Sequence, residues 1–454
     1  MNEVMLEQLM TRLKVSNNAF DSRYKGLGDR RQPVHTVYGG AHLYKNGASM
    51  KLGMLAKRHF DEYAPSGQVL AEALGFKNSE ESGDLDATTS VFETVFERVN
   101  LKLIDEAIED HRIDFEDGYG VRSDEEEDND AKLSATAMAE GLASKTLPPF
   151  VGIRIKALSE EAKYRSLRTL RLFVDTLLTK SNGKLPPEFL VTLPKVISIE
   201  QVNVVCEFLE ALELQWKLDS KSIQLELMLE NVQCLFDESG CVLLPKFVEA
   251  GKGRVSGVIL GTFDYTASGN IAAHYQTHTH ASADFARQLM LSCLTGTDVG
   301  MSDGITNIMP IPPHKGDKLS QEQINENVIS VHEAWKLHFD NICHSLELGI
   351  YQGWDLNPAQ IPIRYVAIYY FFLTGLASAT SRLETFVNKA AQASMVGNTF
   401  DDAATGQGLV NFFVNGINCG ALTEAEAIAT GITLDELKKR SFKHIVENRI
   451  RNPS

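Results

Sequence analysis

The sequence lacks the motifs on which several large enzyme classes depend. It contains no G-x-x-x-x-G-K-[ST] loop to cradle nucleotide phosphates and no G-x-S-x-G turn to carry a serine nucleophile. Its most glycine-rich segment, Gly251-Lys-Gly-Arg-Val-Ser-Gly257, has the wrong spacing for a dinucleotide-binding loop and precedes a predicted strand instead of following one. These absences count against a nucleotide-dependent enzyme and against a serine hydrolase of that type.

Cysteine is scarce, and long apolar runs are missing. The six cysteines form no C-x-x-C pair and no metal-ligand spacing, which indicates reduced thiols in a cytoplasmic protein. The apolar, uncharged run 365–381 has 17 residues, fewer than the roughly 20 apolar residues of a membrane span, and it predicts a buried helix or a subunit interface. An acid at position 3 and the lack of an apolar stretch predict that the start is not a signal peptide.

Positive charge is also in deficit. The 454 residues include 44 Lys plus Arg against 60 Asp plus Glu, a formal charge of −16. A field of that sign repels nucleic acid and anionic lipid, so we expect neither as a partner. The length allows one large α/β barrel with additions or two to three smaller domains. We expect a cytoplasmic homo-oligomer that acts on a small molecule.

Five short apolar runs each end on a charged residue. These residues are Asp117, Arg154, Lys195, Glu230 and Asp264, separated by 37, 41, 35 and 34 positions. A parallel strand with its crossover helix repeats on about this scale of roughly 30 or more residues. The carboxyl ends of such strands meet at one end of a barrel, where barrel enzymes keep their chemistry. The pattern predicts a site that contains carboxylates, an arginine and a lysine.

The alternation of strands and helices predicts the fold class α/β, as a (β/α)₈ TIM barrel with an added C-terminal helical region. We predict a barrel domain over 1–375, with an N-terminal helical extension, and a helical region over 376–454. The predicted strands cover 32–38, a segment ending near 116, 150–155, 189–196, 223–229, 256–262, 305–309 and a segment around 354–357. The acidic run 124–130 lacks the pattern of a calcium loop and predicts a solvated loop.

Glu230 and Asp264 are the candidate metal ligands. Two carboxylates at adjacent strand ends can share one hard cation and leave its other positions open, which suits Mg²⁺. The alternative is that each carboxylate caps the helix that follows it, and this alternative is stronger for Asp264.

Arg154, Glu116, Asp117 and Lys195 are the candidate catalytic residues. Arg154 could clamp a substrate carboxylate and stabilise an oxyanion, or it could form a structural ion pair with the acids of Asp114-Phe-Glu-Asp117. Lys195 is equally compatible with an anion ligand and with an interior salt bridge.

Four histidines complete the set of candidates. His274, His278 and His280 follow Asp264 closely, and we expect their loop to close over the site, with His278 and His280 binding substrate. A zinc site made of these histidines is the less favoured alternative. His35 could serve as a substrate-binding base or could simply be packed in the core.

The ordered motifs Asp-Phe-Glu-Asp117, Gly-Ile-Arg154, Leu-Pro-Lys195-Val, Leu-Glu230-Asn and Gly-Thr-Phe-Asp264 resemble those of citrate lyase β-subunits, malate synthases and HpcH/HpaI-type aldolases. The resemblance spans roughly 32–362 and indicates a longer branch of that superfamily. It implies a TIM barrel that binds Mg²⁺ or Mn²⁺ through Glu230 and Asp264, with Arg154 stabilising an enolate.

The chemistry implied by the resemblance is that of a carbon–carbon lyase or synthase of the aldol or Claisen type, acting on a 2-oxo acid or on a carboxylate derived from an acyl-coenzyme A. The alternatives are a thioester hydrolase on the same scaffold and a non-catalytic regulatory relative. Departures such as Glu230-Asn where the family usually has Glu-Thr, and Asn357-Pro in place of His-Pro, leave the substrate and the general base open.

Overall fold

Eight parallel strands pair in chain order, and the eighth pairs with the first to close a barrel. The structure is a computed structural model that describes residues 3–26, 30–76, 85–388, 394–396, 399–401, 403–439, 442 and 445. The barrel strands are β1 (His35–Gly40), β2 (Asp110–Asp114), β3 (Phe150–Arg154), β4 (Phe189–Leu193), β5 (Gln224–Leu229), β6 (Val255–Leu260), β7 (Gly300–Ile305) and β8 (Gln352–Asp355). The predicted TIM barrel is therefore confirmed.

Helices follow each barrel strand, and one precedes the barrel. They are α1 (Glu3–Arg23), α2 (Ala48–Tyr63), α3 (Gly67–Ala73), α4 (Leu85–Asp105), α5 (Asp124–Ser144), α6 (Lys163–Lys180), α7 (Ile199–Trp216), α8 (Leu244–Ala250), α9 (Thr262–Ser268), α10 (Ala281–Leu294), α11 (Gln321–Glu347), α12 (Ile361–Asn388), α13 (Ala403–Asn418), α14 (Glu424–Ile428) and α15 (Leu434–Lys438). A two-stranded antiparallel sheet of β9 (Ser394–Val396) and β10 (Thr399–Asp401) adds to the predicted helical C-terminal region.

Alternation along the strands separates an apolar outside from a polar inside. Ile113 of β2 and Leu227 of β5 belong to the apolar core shared with the surrounding helices. Their neighbours Arg112 and Glu226 lie on the other face, within the barrel, where Arg112 also pairs with Asp110. Because alternate side chains of a strand share one face, the residues two positions after Arg112 and Glu226 also point into the barrel, and they lie nearer its mouth. The same alternation thus places the polar interior and the strand-end acids on one side.

Two segments differ from the sequence-based predictions. The seventh strand is Gly300–Ile305, not 305–309, because its glycines, Ser302 and Asp303 hide the β pattern, while the apolar residues after it belong to a loop. The sequence also predicts a polar loop over 78–90 and a helix from Val91, whereas helix α4 begins at Leu85; residues 77–84 lie outside those that the structure describes.

The acidic run 124–130 forms the first turns of α5 and is not a solvated loop. The side chain of Ser123 accepts a hydrogen bond from the backbone of Glu126 and so caps the helix. Acidic residues suit this helix end because of the helix dipole. Asp128 and the buried Glu127 both pair with Arg165 of α6, so the run also joins two helices of the outer ring.

The C-terminal helices pack on the flank of the barrel that carries α2, α3 and α4. Helix α12 contributes Tyr365 and Phe372 to an apolar core that also contains Phe92 of α4 and Phe413 of α13. The segment Pro358–Thr385 is long and apolar enough to span a membrane by length and composition, yet more than half of an apolar 18-residue stretch within it is buried inside the molecule. Because α12 passes through residue 375, one continuous helix crosses the predicted boundary between the two regions.

Candidate active site at the barrel mouth

A pocket of about 470 Å³ opens where the strands end. Its lining comes from seven strands or the loops directly after them, and includes Tyr38, Asp114, Arg154, Glu230, Asp264 and Trp354. This is the size range of ligand-binding pockets and the end of the barrel at which such enzymes act. Three of these residues, Arg154, Glu230 and Asp264, were predicted from the strand-end pattern.

Glu230 follows β5 directly and is almost fully buried at the pocket floor. Its Oε1 accepts a hydrogen bond of 2.9 Å from the backbone N–H of Lys195. Burial raises the pKa of Glu230 to about 8; the positive charge of Lys195 opposes the rise, while the carboxylate of Asp264 adds to it. A Cβ at position 261 would lie 2.5 Å from Cβ of Glu230, so Gly261 leaves the space that this carboxylate occupies.

Asp264 lies in the first turn of α9, with its side chain 48% exposed. The position before this helix is Gly261, which has no side chain to cap it, and Asp264 Oδ2 instead lies 3.5 Å from Lys195 Nζ. The pocket thus contains one carboxylate, Glu230, that is fixed by its surroundings, and a second, Asp264, that is half-exposed and has room to turn.

Arg154 is held by a carboxylate on one side and by aromatic rings. Its Nε and Nη2 donate hydrogen bonds of 2.7 and 2.5 Å to the two oxygens of Asp114, and Nη1 lies 3.2 Å from Glu116 Oε2. The ring centroids of Tyr38 and Trp354 lie 4.9 and 5.1 Å from the guanidinium carbon. Bidentate pairing and ring contacts fix the orientation of the guanidinium, so the structural ion pair foreseen as an alternative exists. The arginine still lines the pocket.

Lys195 lies among the carboxylates. Its Nζ pairs closely with Glu116 and lies 3.3 Å from Asp117 Oδ2. Burial acts to lower the pKa of Lys195, but Glu230 and Glu116 outweigh it, so the pKa is raised above its ordinary value. The ammonium therefore stays charged and balances part of the negative charge of the site.

The Asp114 carboxylate shapes the loop after β2. It accepts backbone hydrogen bonds from Glu116 at 2.9 Å and from Gly118 at 2.8 Å. Burial raises the pKa of Glu116. Burial acts to raise that of Asp117 too, but a hydrogen bond from Glu116 and the charges of Lys195 and Arg154 lower it below its ordinary value. Asp117 is thus a carboxylate of this loop that has a lowered pKa and lines the pocket.

The donors fit a hard divalent cation. Within the described ranges no three His, Cys, Asp or Glu side chains form a ready-made metal cluster, a result that counts against zinc at the histidine loop. Mg²⁺ needs fewer protein ligands, since it keeps waters or substrate oxygens beside one or two carboxylates. Glu230 and Asp264 supply such a pair beside an open pocket.

The histidines predicted to bind substrate lie elsewhere. His35 begins β1, at the opposite end of the strand from the pocket, where it is buried and its Nε2 accepts a hydrogen bond from the backbone of Glu109. His278 is buried beside β7, with Nε2 3.0 Å from the Ser345 hydroxyl, and His280 caps α10. The assignment of these three residues to substrate binding is therefore corrected, because their ring nitrogens serve the packing of the fold.

Sequence reasoning missed Tyr38, Thr262 and Trp354 as pocket residues. Tyr38 and Trp354 lie on neighbouring strands with their rings 4.5 Å apart, and both contact Arg154. The signal was present in the alternation of β1, since Thr36 faces the barrel interior and Tyr38 is two positions further. An aromatic residue at a strand end is ambiguous in sequence because it suits the outer core as well.

Solved structures of the same architecture are similar to this chain at low sequence identity. A citrate lyase from Burkholderia xenovorans LB400 is 16% identical with a TM-score of 0.53, and the match covers 74% of this chain and 92% of that one. CitE from Mycobacterium tuberculosis, in complex with magnesium, acetoacetate and coenzyme A, is 13% identical with a TM-score of 0.45 over 85% and 97%. Haloferax volcanii malate synthase, as a lead(II) complex, is 12% identical with a TM-score of 0.45 over 93% and 99%.

The fold is therefore that of the citrate lyase barrel, as the sequence motifs implied. No curated protein sequence matches the chain. A family model described as "Domain of unknown function (DUF6986)" matches residues 13–445.

Proposed function

The chain belongs to the DUF6986 family, and from that premise we propose that it is a cytoplasmic, Mg²⁺-dependent enzyme that forms or cleaves a carbon–carbon bond through an enolate. The substrate class is a 2-oxo acid or a carboxylate derived from an acyl-coenzyme A. One observation carries the proposal: the carboxylates of Glu230 and Asp264 line the same pocket as the fixed guanidinium of Arg154.

The charges of the pocket support a bound cation. Five carboxylates lie in or beside the pocket, and among the described residues Arg154 and Lys195 are the cations that pair with them. A substrate carboxylate would meet repulsion there unless further positive charge were present. Glu230 and Asp264 would hold Mg²⁺, or Mn²⁺ in its place, and the cation would supply positive charge next to the oxygen that becomes an enolate oxygen.

The protein's own residues divide the remaining work. Asp114 fixes the orientation of Arg154, so the guanidinium is in place before charge develops on the substrate. The rings of Tyr38 and Trp354 cover the guanidinium and keep water from that side. Lys195 and Glu116 hold each other in position beside the loop after β2.

Proton transfer falls to Asp117 in this proposal. Its carboxylate has a lowered pKa, lines the pocket and is 58% exposed, so it can approach a substrate carbon without breaking a buried contact. Its pairing with Lys195 would return it to the same place after each cycle.

The test is incubation of the purified protein with Mg²⁺ and a panel of 2-oxo acids and acyl-coenzyme A compounds, followed by mass spectrometry of the products. We expect a product of carbon–carbon bond formation or cleavage that disappears with a chelator and with the Asp117→Asn variant. Products that persist under both conditions would contradict the proposal. Release of free coenzyme A without a new carbon skeleton would favour the thioester hydrolase instead.

A further inference from the structure

Helix α1 presents an apolar stripe that is exposed to solvent among the described residues. The helix is 21 residues long and none of its residues is buried. Leu6, Met10, Leu13 and Phe20 are 42–62% exposed, and the spacing of three, four and seven residues places them on one face. Large apolar side chains in a continuous stripe mark a surface that binds a partner.

The charges of α1 suit a second copy of the same helix in the opposite direction. The N-terminal half carries Glu3 and Glu7, and the middle carries Arg12 and Lys14. Antiparallel pairing places the acidic half of one helix against the basic part of the other, whereas parallel pairing places like charges at the same height. Opposed helix dipoles favour the same arrangement.

We propose that α1 is a dimerisation helix, which pairs antiparallel with α1 of a second copy of this chain, with Leu6 opposite Leu13. In this register Leu9 lies opposite Met10, so the four central apolar side chains of each helix meet their counterparts. In this register Lys14 lies opposite position 5 of the other helix, two positions from Glu3 and two positions from Glu7.

The attachment of α1 leaves it available for this contact. The chain after the helix is tied to the body by Gly26, whose N–H donates a 2.7 Å hydrogen bond to Gly296, and by Lys25, which lies 3.0 Å from Asp298. Both contacts are at the turn before β7, at the opposite end of that strand from the site. Dimerisation through α1 therefore leaves the pocket open, and the inference does not depend on the proposed reaction.

The first experiment measures the mass of the full-length protein by sedimentation at increasing concentration. We expect a shift from the chain mass of 50.2 kDa to twice that value. The double variant Leu6→Gln/Leu13→Gln should weaken the dimer at least about a hundredfold, because several buried leucine side chains are lost at once. Val15→Gln, which changes a more exposed apolar residue off the stripe, should leave the dimer unchanged.

A monomer at all concentrations would overturn the proposal, as would a dimer that the double variant leaves intact. The unfolding temperature of the barrel should be the same in both variants, which separates loss of the contact from loss of the fold.

The second experiment tests direction and register with cysteines placed in a Cys241→Ser background, since Cys241 is the exposed native cysteine of the described residues. A mixture of Leu6→Cys and Leu13→Cys proteins should form a disulfide-linked dimer under mild oxidation. Each protein alone should cross-link poorly, because two copies of one position lie about seven residues, roughly 10 Å, apart along the pair, beyond disulfide reach. Efficient cross-linking of Leu6→Cys alone would show parallel pairing and overturn the proposal.

Discussion

Arg154 at the mouth of the barrel and Arg112 in its middle are both 1% exposed, yet they lie in different electrostatic surroundings. Arg112 lies 2.6 Å from Asp110 and 3.9 Å from Glu226, and both acids are buried as deeply as the arginine. Arg154 is fixed by Asp114 on one side, but the acid beyond it, Asp117, is 58% exposed.

The comparison shows that a buried charge alone does not identify a site. In the middle of the barrel every partner is enclosed, and burial raises the pKa of Asp110 to about 7 despite the opposing charge of Arg112. At the mouth, half-exposed carboxylates adjoin the buried ones, so partners can be exchanged when a cation or substrate arrives. We therefore assign structure to the interior charges and chemistry to those at the mouth.

The largest effect should come from substituting the two arginines. Arg154→Lys should keep the fold but lose the bidentate geometry, and turnover of the substrate identified by mass spectrometry should fall about 10²–10³-fold. Arg112→Met should leave the turnover of folded enzyme nearly unchanged and lower the free energy of unfolding by about 3 kcal/mol, because Asp110 and Glu226 are left buried without their cation. Steady-state kinetics and urea unfolding on both variants give the comparison. If Arg154→Lys loses stability and activity together, Arg154 belongs with the structural charges.

A smaller effect concerns the pH dependence of the free energy of unfolding, to which the buried His35 and His111 contribute. Burial lowers the pKa of His35 and of His111 to about 4 from an ordinary 6.5. Between pH 4 and 6.5 the unfolded chain then binds more protons than the folded one. The free energy of unfolding therefore decreases as the pH falls from 6.5 towards 4, by about 3 kcal/mol for each histidine, and above pH 6.5 these histidines take nothing from it.

We expect His111→Gln to flatten the dependence of unfolding free energy on pH between 7 and 4.5, whatever its effect at neutral pH. The exposed His274 provides the control, because His274→Gln should leave the slope as in the wild type. An unchanged slope in His111→Gln would mean that His111 is not held neutral by its surroundings.

The smallest effects are expected for His278 and His280 in the loop after α9, whose substitution should lower stability without changing metal binding at the site. His278→Ala removes a ring that contacts Ser345 at 3.0 Å and lies 3.4 Å from Asp303, and should cost about 2 kcal/mol of stability. His280→Ala removes the cap of α10 and should cost about 1 kcal/mol. Neither should change the affinity for Mg²⁺, as measured by calorimetry. A tightly held zinc lost in either variant would contradict this structural role.

The parts of the site that the sequence predicts are those that depend on strand ends. Glu230, Arg154 and Asp264 were located because parallel strands bring their carboxyl ends together, and the pocket contains all three. His35 was a candidate because of its residue type alone, and the structure places it at the start of its strand, packed in the core as the alternative had it.

What the sequence could not predict depends on packing between distant segments. The burial of His278 requires α11, which supplies Ser345 from 67 positions away. The ring contacts of Tyr38 and Trp354 with Arg154 join three strands. Strand β7 was misplaced because its glycines and Asp303 carry no strand pattern, and its position depends on pairing with β6 and β8.

The most direct test of the account is calorimetric titration of metal-free protein with Mg²⁺, with the Glu230→Ala/Asp264→Ala double variant beside the wild type. The Asp124→Ala/Glu125→Ala variant, which removes two exposed acids from α5, controls for loss of charge alone. We predict one Mg²⁺ per chain for the wild type and for this control, and no measurable binding for the Glu230/Asp264 variant. Equal Mg²⁺ affinity in all three proteins would contradict the assignment of the mouth as a cation site.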